Sequence, residues 1–459
     1  MKRNFLTHGI AVTLATVLAA QTAFALPDQS DKKPRGPGVI RDAEIEGLLR
    51  IYSAPIFHAA GINVKSAQVV VIGEQSINAF VANGQRIFVN SGLITRAPDP
   101  NTVIGVLAHE SGHIAGGHLA KLNNAMNEAS TEAIVGTLLG VAAVVGGAVA
   151  GNTDAARAGT GVIFGAQGAA QRGLLVYQRS MEATADESAM RYLEATHNSA
   201  KGMLGLFRIL ANESLASTTG ADPYAYSHPL PFDRLRTLEA TAQASAYYNK
   251  PDDAGLVLRH KLAQAKLTGF LDQQQVFVKY PTSDGSVPSR YARAIAYFRR
   301  GDLNAAMPLI DSLTSAMPQY PYFWELKAQA YLENGKLAEA LPAIIKARAL
   351  LPNNALLQIL HAQILLSAEN PAQADQAISL LKQARLQEPD EAEIYKFLAQ
   401  AYGLKNEIAQ AELATAEFAF ATGDRKLAVE KAVHAKKYLT KSTPEWQRAN
   451  DIENIGSKK

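Results

Sequence analysis

The motif H-E-x-x-H at residues 109–113 constrains the fold of this chain more than any other feature. It lies in an apolar stretch that begins near Val103, which indicates a helix. Residues four apart share one helix face, so His109 and His113 point the same way. Two imidazoles at this spacing can bind one Zn²⁺, and Glu110 beside them can accept a proton from water. The alternative interpretation is a chance match in a surface helix.

A zinc site needs a third protein ligand, and two candidates follow from the sequence. Glu182 lies on a predicted helix, and Asp186 follows one turn later. Glu182 can complete the site, while Asp186 can accept a hydrogen bond from a ligand histidine and fix its tautomer. His118, five residues after His113, is the other candidate. The alternative interpretation of the two carboxylates is that they lie on a solvated helix face.

The N-terminus has the organisation of a signal peptide. Lys2 and Arg3 precede an uncharged apolar stretch over 10–20, and an A-x-A site ends at Ala25. We therefore expect cleavage after Ala25 and export of the mature chain. The alternative, an N-terminal membrane anchor, needs a longer apolar span.

The amino-acid composition excludes cysteine chemistry and gives no support for nucleic-acid binding. The 459 residues contain no cysteine, which excludes disulfides, cysteine zinc sites and thiol catalysis. The net charge of +3 gives no reason to expect nucleic-acid binding.

We expect two domains between a flexible N-terminal arm and a short tail. The predicted boundaries are 1–25 for the signal peptide, 26–41 for the arm, 42–250 for the first domain, 251–445 for the second and 446–459 for the tail. In the first domain, 68–72 reads as a strand, and 79–89 reads as a hairpin whose Asn83-Gly84 suits a two-residue turn. An exposed edge of this sheet can bind an extended peptide.

The stretch Ala133–Ala150 has no charged residue. Eighteen helical residues span about 27 Å, the lower limit for crossing a membrane. Its glycines and small side chains leave three interpretations open: a lid over the site, a contact with a membrane surface, or a spanning helix.

The sequence of the second domain contains a 34-residue repeat. Pro318 and Pro352 are 34 residues apart, and each is preceded by a glycine (Gly301, Gly335) between two apolar helical segments. This spacing is typical of tetratricopeptide repeats, which stack helix pairs into an α-solenoid. A third unit carries about three extra residues, which we place at 367–371.

Together these motifs resemble the M48 (HtpX-related) metallopeptidases over roughly 45–245. The resemblance rests on the following residues: H-E-x-x-H at 109–113, Glu182-x-x-Ala185-Asp186, Arg179, Asn78-Ala79-Phe80 with Gly84 and Ile87-Phe88-Val89, and His228-Pro229 followed by Arg234. With the signal peptide and the repeats, the chain resembles exported members of this family. The implied fold is mainly α, an M48-type zincin domain (helices with a small β-sheet) followed by the α-solenoid.

The resemblance also implies roles for the site residues. His109, His113 and Glu182 would hold one Zn²⁺ per chain, Glu110 would be the general base, and Asp186 would orient a ligand. His228 would lie at the metal, either blocking the open position or assisting catalysis. Asn78, Ala79, Phe80 and Arg234 are expected to bind substrate or support the site.

The implied activity is that of an exported zinc endopeptidase that degrades misfolded or stalled outer-membrane proteins and assists their assembly. Its repeats would bind the outer-membrane barrel assembly machinery, with peripheral membrane contact through 133–150. Two alternatives stay open: a chaperone or scaffold whose protease site is silenced, and a membrane-integrated peptidase.

Overall fold

The computed structural model describes residues 38–82, 84–122, 124, 179–216 and 232–456. The predicted signal peptide, the stretch Ala133–Ala150 and His228 lie outside these residues. The described residues form two compact units. One comprises 38–40 and 44–275, and the other comprises 41–43 and 276–456. The predicted fold class, mainly α with a small sheet in the first part and a helical solenoid in the second, is confirmed.

The first unit contains a four-stranded sheet of order β1-β2-β4-β3. The strands are β1 (Val39–Ile40), β2 (Gln68–Ile72), β3 (Ala79–Ala82) and β4 (Arg86–Asn90). β2 and β4 are parallel, whereas β1 and β3 pair antiparallel with their neighbours. The predicted hairpin is β3–β4, but its connection has three residues, 83–85, with Gly84 at φ +86°. β1 uses two residues of the predicted flexible arm.

The first unit also contains seven helices of six or more residues within its described ranges. They are α1 (Ala43–Ala59), α2 (Ser91–Arg96), α3 (Pro100–Ala115), α4 (179–195), α5 (Lys201–Ala216), α6 (Phe232–Gln243) and α7 (Ala254–Leu271). α3 carries the H-E-x-x-H motif. Its start is fixed by Asp99, whose side chain accepts from the Thr102 backbone N–H at 2.8 Å, and by Pro100 in the first turn. Every residue of α3 from Pro100 to Gly112 is buried.

α7 is part of the first unit, although the sequence places the domain boundary after Lys250. His260 of α7 is buried, with Nδ1 3.1 Å from the Tyr52 hydroxyl and Nε2 3.2 Å from the Ala97 carbonyl oxygen. Gln264 donates to the same carbonyl at 2.7 Å. Lys266 pairs with Glu44 at 3.5 Å in the interior. These contacts join α7 to α1 and to the loop that leads into α3.

The second unit is a stack of helices. They are α8 (Gln273–Lys279), which begins at the boundary between the units, α9 (Val287–Arg299), α10 (Leu303–Ala316), α11 (Pro321–Glu333), α12 (Leu337–Leu350), α13 (Ala355–Ser367), α14 (Pro371–Gln387), α15 (Ala392–Leu404), α16 (Ile408–Ala421), α17 (Arg425–Lys436) and α18 (Pro444–Gly456). The turns inside the first three pairs lie at Gly301, Gly335 and Glu369, which are 34 residues apart and all have positive φ. The 34-residue period is therefore a property of the backbone.

The extra residues of the third repeat lie elsewhere than predicted. The turn at Glu369 leads into α14 with the same two-residue offset as in the first two repeats. α14 has 17 residues, whereas α10 and α12 have 14 each. The placement at 367–371 is thus wrong, because the insertion lengthens the second helix of the pair.

The C-terminal residues continue the stack. α18 covers most of the predicted tail, and its Ala449 and Ile452 are buried against Ala432 and Ala435 of the preceding repeat. Over the described parts of the chain, no helix is both long and apolar enough to cross a membrane.

Candidate metal centre

Three side chains from two helices converge in the first unit. His109 and His113 come from α3, and Glu182 comes from α4. The Nε2 atoms of the two histidines are 3.1 Å apart. Glu182 lies 3.4 Å from His109 Nε2 through one carboxylate oxygen and 3.3 Å from His113 Nε2 through the other. The structure thus brings together the three predicted ligands in a triangle of donor atoms, one from each residue, that all lie within 4.8 Å of one another.

This triangle fits a tetrahedral zinc ion. With ligand bonds of about 2.0–2.1 Å, neighbouring donors of a tetrahedral zinc are about 3.4 Å apart. Three protein donors leave the fourth position for water or substrate, which is the arrangement of catalytic zinc sites. His118, the alternative third ligand, is not a member of the donor triangle.

Glycine at position 112 allows α4 to approach α3. A β-carbon there would lie 2.8 Å from the carbonyl oxygen of Ala185 and 2.9 Å from its Cα. Because Ala185 is three residues after Glu182, this close approach carries Glu182 to the two histidines. The second variable position of the H-E-x-x-H motif therefore positions the third ligand.

Each histidine of the triangle has a partner at its other ring nitrogen. His109 Nδ1 is 3.0 Å from Asp186 Oδ1, and His113 Nδ1 is 3.0 Å from His118 Nδ1. A proton on each Nδ1 would satisfy these partners and leave both Nε2 lone pairs for a metal. Asp186 thus lies where the sequence analysis expected it, and His118 lies behind a predicted ligand.

Arg234 of α6 closes the carboxylate side of the site. Its guanidinium pairs with Asp186 through Nε and Nη2, and Nη2 is also 3.2 Å from Glu182. Burial alone would raise the pKa of Asp186, but His109 and Arg234 outweigh burial and hold that pKa below its usual value. Arg234 therefore supports the carboxylates.

The charge balance of the metal-free site favours a cation at His109. Burial lowers the pKa of this ring, yet Asp186 and Glu182 raise it more strongly, to about 10. A proton on His109 and a divalent metal compensate the same two carboxylates. Glu110, the next residue, is fully buried. Its carboxylate is therefore shielded from bulk solvent.

The strand β3 lies at the edge of the sheet, and within the described residues no strand pairs with its other side. The Asn90 N–H donates to the Asn78 carbonyl at 2.9 Å, so 78 and 90 form a hydrogen-bonded pair. Hydrogen-bonded and non-bonded pairs alternate in an antiparallel ladder. With Ala79 opposite Val89 and Val81 opposite Ile87, the backbone groups of Ala79 and Val81 therefore point to the open side.

The expected substrate-binding residues differ in their surroundings. The side chain of Ala79 is fully buried, and Phe80 stacks on Phe88 across the ladder with ring centroids 5.3 Å apart. Asn78 contributes its carbonyl to the hairpin. Of these three residues, Ala79 therefore offers its backbone groups to substrate, whereas those of Asn78 and Phe80 point toward β4.

Two neighbours of the site were not expected from the sequence. Phe207 of α5 packs edge-on against His109, with 5.9 Å between the two ring centroids. The guanidinium carbon of Arg234 lies 6.0 Å from the centroid of the Phe207 ring. An apolar helix residue such as Phe207 is indistinguishable from core in sequence. The contact of His118 with His113 could have been anticipated, since a five-residue separation across a Gly116-Gly117 turn brings the chain back to the helix end.

The fold and this centre are those of a metallopeptidase domain. Residues 48–242 match the family model of Peptidase family M48, so the chain contains an M48 peptidase domain.

The similarity to characterised relatives extends beyond this domain. The chain is 23% identical over 339 residues to the beta-barrel assembly-enhancing protease of Yersinia pestis, covering 72% of this chain and 66% of that protein. It is 23% identical over 355 residues to the beta-barrel assembly-enhancing protease of Escherichia coli K12, covering 76% of this chain and 69% of that protein. The chain thus spans about two thirds of the length of these relatives.

Proposed function

We propose that the protein is an exported zinc endopeptidase that cleaves misfolded or stalled outer-membrane proteins in the periplasm and assists their assembly. The observation that carries the peptidase part is the donor triangle of His109, His113 and Glu182 with Glu110 beside it. The names of the relatives support the outer-membrane part. The repeats of the second unit would bind partner proteins, including the barrel assembly machinery.

The residues of the site divide the chemistry among them. His109, His113 and Glu182 would hold the ion, and Asp186 would keep His109 in the tautomer that offers Nε2. When bound, Zn²⁺ supplies Lewis acidity toward a peptide carbonyl and toward water. Glu110 takes the proton from the attacking water and returns it to the leaving amine. The burial of Glu110 keeps this proton away from bulk solvent.

Substrate would lie along β3. An extended segment added to this edge can form main-chain hydrogen bonds with Ala79 and Val81, whose backbone groups point outward. Such binding needs an unfolded or unpaired segment, because a folded substrate has already paired its strands. This requirement agrees with a role on proteins that have failed to assemble.

Zinc analysis and casein cleavage test the peptidase assignment. We expect one equivalent of zinc in the purified full chain and in Glu110→Gln, because Glu110 is not a ligand. The activity of Glu110→Gln should fall by about 10²–10⁴-fold, the usual contribution of a general base. Wild-type protein that carries zinc but cleaves no faster than Glu110→Gln would contradict the assignment.

The same variant tests the alternative of a scaffold. If Glu110→Gln restores outer-membrane assembly in a deletion strain as fully as wild type, the repeats provide the main activity. His228, outside the described residues, stays a predicted partner of the site. Faster casein cleavage by His228→Ala would assign it a blocking role, and slower cleavage a catalytic one.

A further inference from the structure

An apolar groove lies between the open edge of the sheet and the C-terminal end of α3. It has a volume of about 240 Å³ and is lined by Val81, Ile114, Leu119 and Ala120, with two glycines and His113 completing the wall. One water molecule occupies about 30 Å³ in the liquid, so the groove is large enough for a whole side chain. Among the described residues that line it, the predicted ligand His113 has the only polar side chain.

The chain turn after α3 builds this groove. Gly117 adopts φ +63°, a left-handed conformation that suits glycine, and the backbone then forms a short helical segment over 118–122. Leu119 is thereby left 36% exposed on the groove wall. Ile114 and Val81 are also partly exposed there. Covering these three partly solvated aliphatic side chains would remove apolar surface from water, which is energetically favourable.

The position of the groove beside the open edge of β3 indicates that a side chain of a strand paired with this edge would cover it. Val81 lines the groove, while its backbone groups point to the open edge of β3. In a strand paired with this edge, the residue beside Val81 would direct its side chain to the same face of the sheet. That face carries the groove, and the groove contains His113.

We propose that this groove is a specificity subsite that binds one aliphatic or aromatic side chain of the extended polypeptide, at a fixed position close to the bond cleaved. The inference rests on the proposed peptidase function and adds the class of side chain that the enzyme selects. Leu119 is its specificity-determining residue, because it is the most exposed of the large apolar side chains in the wall.

The experiment maps the cleavage sites of denatured casein by mass spectrometry of the new N-termini, using the zinc-loaded full chain. We expect Leu, Ile, Met, Phe or Val to be enriched at one position relative to the cleaved bond. Leu119→Asp should reduce the ratio of apolar to polar residues at that position by about tenfold, since a single methylene in an apolar pocket changes selectivity by about 10–200-fold. Leu119→Ala, which enlarges the groove, should shift the preference toward Phe.

Val64→Asp is the matched control, because Val64 is 51% exposed on the same unit and does not line the groove. Its cleavage profile should equal that of wild type. Unchanged profiles in both Leu119 variants, with casein still cleaved, overturn the subsite and leave the peptidase function standing. A uniform increase in cleavage with an unchanged profile would also overturn it, because the groove would then hold a blocking segment of the chain. Absence of cleavage by wild type above Glu110→Gln overturns both proposals.

Discussion

Gly112 of α3 and Ala185 of α4 are in backbone contact, so that a β-carbon at position 112 would lie 2.8 Å from the Ala185 carbonyl oxygen. The proposed metal site therefore depends on the separation of two helices as well as on its ligands. Gly112→Ala should displace α4 and with it Glu182. A misplacement of about 1 Å can cost about 10²-fold in activity, so we expect a loss of this size together with weaker zinc retention under competition with a chelator.

Gly205→Ala is the control for this substitution. Gly205 also lies inside a helix, but a β-carbon there meets nothing within 4 Å. It should keep full zinc affinity and add about 0.5–1 kcal/mol of stability, because alanine is the better helix former. Equal zinc retention in both variants would show that the contact with Ala185 does not position Glu182.

Asp186→Asn should weaken zinc binding without removing the site. Oδ1 of Asp186 contacts both His109 Nδ1 and Arg234 Nη2, and Oδ2 accepts from Arg234 Nε. An asparagine replaces one of these two acceptor oxygens by an NH₂ donor and therefore loses at least one of the contacts. Loss of such a supporting contact typically lowers metal affinity by about 10–100-fold. Competition titration with a chromophoric chelator measures this change. Glu187→Gln, an exposed neighbour on α4, should leave the affinity unchanged.

Zinc should stabilise the first unit. An ion that binds only the folded state at 100 times its dissociation constant adds about 2.7 kcal/mol to the free energy of unfolding. The midpoint of denaturant unfolding should therefore fall after treatment with EDTA and recover with added zinc. His109→Ala should show no response to either treatment. A response in His109→Ala equal to that of wild type would place the stabilising ion elsewhere.

His260→Ala should destabilise the first unit, although His260 lies beyond the residues matched by the peptidase family. The side chain is buried and links Tyr52 to the Ala97 carbonyl. Removing it leaves a cavity and takes a hydrogen-bond partner from the Tyr52 hydroxyl, while the Ala97 carbonyl keeps the bond from Gln264. We expect a cost of about 2–4 kcal/mol. Denaturant unfolding of the full chain measures this loss. His58→Ala, exposed at the end of α1, should change stability by no more than about 0.5 kcal/mol.

The second unit should lose stability in weak acid through His361. Burial and the nearby Arg348 lower the pKa of His361 to about 4, and Arg348 Nη1 lies 2.8 Å from His361 Nδ1. The unfolded chain binds a proton near pH 6.5, whereas the folded chain stays neutral to about pH 4. Stability is therefore complete above pH 6.5 and decreases as the pH falls toward 4. At pH 5 the loss is about 2 kcal/mol.

The variant His361→Asn tests this source of acid sensitivity. An asparagine oxygen can still accept from Arg348 but does not titrate. Denaturant unfolding at pH 7 and pH 5 should give a smaller difference for His361→Asn than for wild type. Equal differences in the two proteins would assign the acid sensitivity to other groups.

The sequence was sufficient for the parts of the fold that depend on short-range patterns. The helix of the H-E-x-x-H motif and the β3–β4 hairpin follow from periodicity and turn chemistry. The 34-residue period predicted the solenoid, and the predicted turns lie at Gly301 and Gly335, both with positive φ. Glu182 was preferred to His118 because it lies on a predicted helix one turn before Asp186, and the family resemblance implied the same ligand. The structure places Glu182 in the donor triangle.

The features of the fold and of the site that the sequence did not predict depend on contacts between segments far apart in the chain. Nothing near His260 in the sequence indicates that it pairs with Tyr52, so α7 was assigned to the repeats. The insertion in the third repeat was placed at a Ser–Pro segment, whereas it lengthens a uniform amphipathic helix in which an added turn leaves no local signal. The pairing of Arg234 with Glu182 and Asp186 likewise joins residues about 50 positions apart.

The long helix α14 has a consequence for recognition. Three added residues advance a helix by about 4.5 Å and rotate its end by about 300°. Equivalent positions on the repeats before and after α14 therefore fall out of phase with one another. In the proposed role of the repeats, a partner would therefore contact two shorter surfaces, one before and one after α14, rather than one surface with a single spacing.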